Sequence, residues 1–308
     1  MEVLVQLLLV AVGFTMLVKG ADWFVDGSSG IARKFGIPQL IIGLTIVAMG
    51  TSAPEAAVSI SAALKGSADI TVGNIVGSNI LNVLIILGLS AAITPLAVAK
   101  STVRVDIPVV LLASALLLIL GWSGTLNWIC GLVLLVVFVL YLSYLMIQAI
   151  KNKETKEEEE KNLSIWKALL LTAVGLVLIV WGSNVTVDAA TALARIWGLS
   201  ERFIGLTIVA LGTSLPELFT SVIAARKGNA DIAIGNIVGS NIFNILFVVG
   251  ISALITPVPF QSGFIFDSVV AIGSIVLLWG CCAKDKKLPR WSGFLFLACY
   301  VAYFLMIL

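Results

Sequence analysis

The sequence predicts an all-α polytopic membrane protein with ten transmembrane helices in two inverted five-helix repeats, N- and C-termini outside. Three observations carry this expectation. The 308 residues are 60% hydrophobic and only 12% charged, whereas soluble domains carry about a quarter charged residues. The stretch 42–95 recurs at 204–257 with a constant offset of 162 positions and identity at 36 of 54 of them. Positive charge also alternates between successive loops, which fixes orientation in a bilayer.

Apolar runs long enough to cross a bilayer fall near 3–25, 37–63, 68–94, 107–121, 126–150, 164–190, 200–224, 231–255, 266–282 and 291–308. The first of these lacks a basic flank and a small-residue cleavage site, so it reads as a retained span rather than a signal peptide. Residues 151–162 form the one long polar segment, with four successive glutamates at 157–160, and read as a solvated linker. The chain therefore divides into a first five-span repeat (1–150), a cytoplasmic linker (151–163) and a second, inverted repeat (164–308).

Odd-numbered loops hold 15 Lys/Arg: Arg33, Lys34, Lys100, Arg104, Lys151, Lys153, Lys156, Lys161, Lys167, Arg226, Lys227, Lys284, Lys286, Lys287 and Arg290. Even-numbered loops hold three, Lys65, Arg195 and Arg202, while Lys19 can snorkel from the end of the first span. Odd loops are thus expected in the cytoplasm. With five spans per half, the second half must enter the membrane upside down, because Lys65 and Lys227 are repeat equivalents on opposite sides. The offset also matches Asp26 with Asp188, Arg33 with Arg195, Gly131 with Gly293 and Tyr141 with Tyr303, so the repeat covers the whole chain. Inverted repeats are a transporter architecture with the binding site near the midplane.

Several function classes drop out. A net charge of +2 with no basic cluster argues against nucleic acid, and the absence of histidine removes the usual ligand for zinc, copper or iron. The cysteines Cys130, Cys281, Cys282 and Cys299 have no zinc-site spacing and imply no disulfide framework. No bound cofactor is expected.

Two motifs interrupt the apolar runs. Gly50-Thr51-Ser52-Ala53-Pro54-Glu55 returns as Gly212-Thr213-Ser214-Leu215-Pro216-Glu217. Proline has no N–H for the carbonyl four residues back, so the Gly50 and Gly212 carbonyls should be freed and need water or a cation. Hydroxyls and one carboxylate cluster at each break, and intramembrane glutamates are expensive unless used. The second motif runs Gly73-Asn74-Ile75-Val76-Gly77-Ser78-Asn79 and Gly235-Asn236-Ile237-Val238-Gly239-Ser240-Asn241. Asn74, Ser78 and Asn82 share one helix face, as do Asn236, Ser240 and Asn244. The glycine pairs should admit a neighbouring helix closely. Read blandly, a Pro-Glu break is a kink and a polar stripe is helix packing; two copies of both together favour a site. Asp26 with Arg33, Asp188 with Arg195, and Asp22 with Lys19 read as local charge pairs at helix ends, and Asp69 and Asp231 as favourable charges at helix starts.

Pooled, the motifs supply two carboxylates, hydroxyls, amide oxygens and carbonyls, without nitrogen or sulfur ligands. That set suits hard cations such as Ca2+ and Na+. Two carboxylates neutralise one Ca2+ and could equally be neutralised by monovalent ions or protons, which an antiporter requires.

These motifs resemble the alpha repeats of the cation/calcium antiporter superfamily, specifically prokaryotic Na+/Ca2+ exchangers. The resemblance spans the whole chain and implies ten helices, with spans 2, 3, 7 and 8 as the ion-binding core and long, tilted spans 1 and 6 sliding across it. Carried over by motif position, Ca2+ would be held by Glu55, Glu217, Thr51 and Thr213. Flanking Na+ sites would draw on Ser52, Ser214, Ser78, Ser240 and the carbonyls of Ala48 and Ala210, with Asn82 and Asn244 completing the central set. Some exchangers of this branch carry aspartate at the Asn244 position, so this chain lacks one charge and one proton acceptor found there. The implied activity is secondary-active Ca2+/Na+ antiport in the lipid bilayer of the prokaryotic plasma membrane, as a monomer. The alternatives are H+/Ca2+ or K+-dependent exchange at the same glutamates. An intramembrane hydrolase is disfavoured because the two carboxylates have matching rather than specialised surroundings, and a passive channel would need no counter-ion.

Overall fold

The computed structural model describes residues 2–152, 163–198 and 210–307. Helix α1 (Glu2–Phe35) is followed by α2 (Gln39–Thr51) and α3 (Ala53–Leu64), which are bent by 50° at their junction. Then come α4 (Ile70–Ile93), strand β1 (Leu96–Ala97), α5 (Thr102–Gly121), strand β2 (Thr125–Leu126) and α6 (Trp128–Lys151). The second half holds α7 (Ile165–Ile196), α8 (Ala210–Thr213), α9 (Leu215–Arg226) and α10 (Ala230–Ile255). It finishes with β3 (Val258–Pro259), α11 (Gly263–Ala283), β4 (Lys287–Leu288) and α12 (Arg290–Ile307). Among the described residues, eight helices are long and apolar enough to cross a membrane, and a ninth if the bent pair is one span. The expected span at 200–224 begins outside the described residues.

Burial separates the centre from the rim. The most apolar windows of α4 and α10 are 78% and 83% buried inside the protein, whereas those of the other six spanning helices are 17–39% buried. Since hydropathy is similar throughout, the rim helices must present their apolar faces to lipid. Close backbone approaches hold the centre together. A Cβ on Gly235 would lie 2.9 Å from the Leu40 carbonyl, and one on Gly239 would lie 2.6 Å from that of Leu44, so α2 packs directly on α10. Gly131 of α6 and Gly293 of α12, matched by the repeat, bring those helices against the backbones at Gly250 and Gly88 respectively.

Helices α1 and α7 overrun the expected 3–25 and 164–190, reaching 34 and 32 residues. Gly27 and Gly30 lie inside α1 without breaking it, and the two helices end only at Gly36 (φ 65°) and Gly198 (φ 76°), both in the left-handed region. At 1.5 Å per residue such helices exceed the ~30 Å hydrocarbon core and must tilt or protrude. Gly13 and Gly20 of α1 face Gly182 and Gly175 of α7, so the two long helices pack backbone against backbone.

Two differences from the sequence expectations lie in the loops and at the helix ends. The loops carry four two-residue strands that pair antiparallel, β1 with β4 and β2 with β3. Asp22 and Asp26 of α1 both meet Lys227 at 2.6 Å, from the turn between α9 and α10, instead of pairing locally with Lys19 and Arg33. A lysine one helix away reaches both acids at once, which no residue on α1 itself does.

Candidate ion-binding site

Each Pro-Glu motif breaks its helix at the serine. Ser52 (φ −82°, ψ 8°) and Ser214 (φ −90°, ψ 4°) leave helical geometry, and Pro54 and Pro216 open the following segments, where a missing N–H costs nothing. This places Glu55 and Glu217 in the first turns of α3 and α9, where the free N–H groups favour negative charge. Both glutamates are 1% exposed.

The two breaks meet across the centre. Ser52 Oγ donates to Glu217 Oε1 at 2.7 Å, and Ser214 Oγ donates to Glu55 Oε1 at 3.3 Å. Each serine thus serves the carboxylate of the opposite repeat and leaves Oε2 of both glutamates without a hydrogen-bond partner among the described residues. Asn82 and Asn244 contribute two more buried, unpartnered oxygens, their Oδ1 atoms. Both asparagines lie where α4 and α10 widen into π-helical turns (Asn82–Leu87 and Phe243–Val249), a distortion frequent at functional sites.

The remaining expected residues divide. Ser240 Oγ donates to the Ala48 carbonyl at 3.4 Å, and Ser78 is buried on the same face of α4 as Asn82. Thr51 is fully buried, with its hydroxyl 2.9 Å from Asn236 Oδ1 and 3.1 Å from the Val47 carbonyl. Thr213 is half-buried, and its hydroxyl has no partner among the described residues. Ala210 stands at the edge of the described residues, and its surroundings lie outside them.

Two features depart from the sequence reading. The Gly212 carbonyl freed by Pro216 is not left for water or a cation: Ser183 Oγ of α7 donates to it at 2.7 Å. Its repeat equivalent is Ala21, which has no hydroxyl to offer the Gly50 carbonyl. The polar stripes also split in role. Asn74 Nδ2 donates to the Glu55 carbonyl (3.3 Å) and Ser59 Oγ (2.9 Å), and Asn236 Nδ2 to the Glu217 carbonyl (3.4 Å) and Ser221 Oγ (2.9 Å). These asparagines clamp the segment after each break. Ser59, Ser221, Asn79, Asn241 and Ser183 were missed from the sequence. Identity in both repeats marks the first four, but their partners are set by tertiary packing alone.

Buried acceptors left unpaired cost several kcal/mol each as a rule of thumb, and two buried carboxylates cost more. The two unpartnered carboxylate oxygens, on glutamates joined through Ser52 and Ser214, can be satisfied by a hard cation or by protons. Among the described residues no three His, Cys, Asp or Glu side chains come together as a metal site. Beside the two carboxylates the named oxygens are neutral hydroxyls, amides and carbonyls, which suit a cation that must leave again. An all-helical membrane chain with such a centre defines a cation transporter.

Comparison with known proteins identifies which kind. The family model described as sodium/calcium exchanger protein matches twice, over residues 5–147 and 167–308. The sodium/calcium exchanger MaX1 of Methanosarcina acetivorans is 33% identical over 98% of this chain and 98% of its own length. The inner membrane protein YrbG of Escherichia coli is 37% identical over 97% of this chain and 95% of its own. A solved structure of the sodium-calcium exchanger NCX_Mj, soaked with zero Na+ and Ca2+, superposes with TM-score 0.87 and 35% identity, covering 99% of this chain and 100% of that one. The chain belongs to the sodium/calcium exchanger family. It is a cation/Ca2+ antiporter of the membrane, not an enzyme.

Proposed function

We propose that the chain exchanges Ca2+ for Na+ by alternating access at one site built from both repeats, near the membrane midplane. The observation that carries this reading is the pair of serine–glutamate hydrogen bonds that joins the two breaks, Ser52 to Glu217 and Ser214 to Glu55, with Oε2 of both buried carboxylates left without a partner among the described residues. Ca2+ would neutralise both carboxylates there. Thr51 and Thr213 would join the glutamates around Ca2+, and flanking Na+ ions would draw on Ser52, Ser214, Ser78, Ser240 and the carbonyls of Ala48 and Ala210. Because the same two charges serve either cation, the ions exclude one another, which couples their movements. No resident cofactor takes part.

The same reading holds ten spans in two inverted halves, 1–150 and 164–308, joined by the cytoplasmic linker 151–163, with both termini outside. Loop pairing supports it. The 162-residue offset maps β1 onto β3 and β2 onto β4, yet β1 pairs with β4 and β2 with β3. Strands in the third and ninth loops therefore meet each other, as do those in the fourth and eighth, so repeat-equivalent loops sit at opposite ends. The exchangers among the relatives and the two family-model matches support the same organisation. A bacterial or archaeal cell membrane is the natural setting given MaX1 and the inner membrane protein YrbG.

Uptake of labelled Ca2+ into proteoliposomes, with Na+, K+ and H+ gradients imposed separately, tests the proposal. An outward Na+ gradient should drive uptake without K+. Uptake driven by a proton gradient and not by Na+ would replace Na+/Ca2+ exchange with H+/Ca2+ exchange at these glutamates.

A further inference from the structure

Asn79 and Asn241 close the two Gly-Asn-x-x-Gly-Ser-Asn motifs and meet where α4 and α10 cross. Asn79 Nδ2 donates to the main-chain carbonyl of Asn241 at 3.2 Å, and Asn241 Nδ2 donates to that of Asn79 at 3.3 Å. A main-chain carbonyl can only accept. Both NH2 groups are therefore committed to the backbone, and both Oδ1 atoms must point the other way. Those oxygens accept from the next amides along: Asn241 Oδ1 from Asn82 Nδ2 at 2.9 Å, and Asn79 Oδ1 from Asn244 Nδ2 at 3.1 Å. All four side chains are at most 2% exposed, so bulk water does not compete.

The consequence falls on Asn82 and Asn244. An amide can present either an oxygen or an NH2 by turning half a revolution about its last bond. An NH2 facing a cation repels it, whereas a carboxylate presents oxygen either way. With amides at both of these positions, something must fix their sense. The chain of donors and acceptors does so, beginning at a carbonyl that cannot flip and ending at Asn82 Oδ1 and Asn244 Oδ1, both buried and unpartnered among the described residues.

We infer that Asn79 and Asn241 are positioning residues that hold Asn244 and Asn82 with their oxygens, not their NH2 groups, toward the transported cation. The inference rests on the cation site proposed above. Each repeat orients the amide of the other, since Asn79 serves Asn244 and Asn241 serves Asn82.

The test is equilibrium Ca2+ binding to the purified full chain, with Ca2+ alone as probe. Asn79→Ala removes the acceptor for Asn244 Nδ2 and should weaken binding roughly 10–100-fold, the usual loss when a ligand's orienting partner is removed. In an Asn244→Asp background the same change should cost no more than about twofold, because a carboxylate needs no orienting. Equal losses in both backgrounds, or no loss in either, would overturn the inference. If Asn79→Ala does not fold, Asn241→Ala measured with and without Asn82→Asp carries the same comparison. Glu55→Gln, measured alongside, separates the two levels. Binding that survives it removes the site reading itself, whereas binding lost there but unchanged in Asn79→Ala removes only the positioning role.

Discussion

The two Pro-Glu breaks carry nearly the same residues and sit in different surroundings. In the first, Thr51 is sealed against Asn236, and α1 carries Ala21, without a hydroxyl, at the repeat position of Ser183. In the second, the Thr213 hydroxyl is unpartnered among the described residues, and Ser183 of α7 holds the Gly212 carbonyl. Their partners differ too: Asn236 is fully buried, and Asn74 is half-buried. Matching sequences in unlike environments are what alternating access requires, because one half must be closed while the other is looser. On the proposed topology Thr51 lies on the cytoplasmic side of its break and Thr213 on the outer side. The tighter half then faces the cytoplasm.

Variants placed in matched pairs can break or sharpen that contrast. The largest effect is expected at the feature the halves share: Glu55→Gln and Glu217→Gln should each abolish Ca2+ uptake in proteoliposomes while the protein still elutes as a folded species. Uptake retained by either would remove the shared site. Next comes Asn236→Leu, which strips partners from the Glu217 carbonyl, Ser221 and Thr51 together. It should cost about 2–4 kcal/mol of stability, against about 1–2 kcal/mol for the half-buried Asn74→Leu. Equal thermal shifts would mean that the two clamps are equivalent after all.

Smaller effects follow at the tethers. Ser183→Ala should destabilise by about 1–2 kcal/mol by orphaning the Gly212 carbonyl, and Ala21→Ser should stabilise the other half by supplying the missing hydroxyl. A thermal scan of the two variants that moves in one direction would contradict the asymmetry. Thr51→Val should cost about 1 kcal/mol, while Thr213→Val should stay within about 0.5 kcal/mol in ion-free protein. Smallest of all, Lys227→Ala removes a partly exposed bridge worth under about 1 kcal/mol, and its effect should fade in high salt. Comparing melting temperatures at low and high ionic strength checks this.

The comparison also shows what a sequence exposes. Glu55, Glu217 and the prolines beside them stand out because charge and helix breakers are rare in apolar runs, and the repeat doubles the signal. The course of α1 was less legible: hydropathy ends near residue 25, but a helix ends only where the backbone does, at Gly36. Partners across the centre were not legible at all. Nothing in one strand of sequence says that Ser52 serves Glu217 or that Asn79 serves Asn244, since those bonds arise only when the two repeats interlock. Asymmetry between near-identical segments is beyond sequence by definition, apart from single differences such as Ala21 and Ser183.

The central claim is that one site, shared by both repeats, takes either Ca2+ or Na+. Titrating Ca2+ into the purified protein at a series of Na+ concentrations tests it most directly. The account predicts a Ca2+-binding step that Na+ weakens competitively and that vanishes in both Glu55→Gln and Glu217→Gln. Ca2+ binding that is indifferent to Na+, or that persists in either variant, would contradict it.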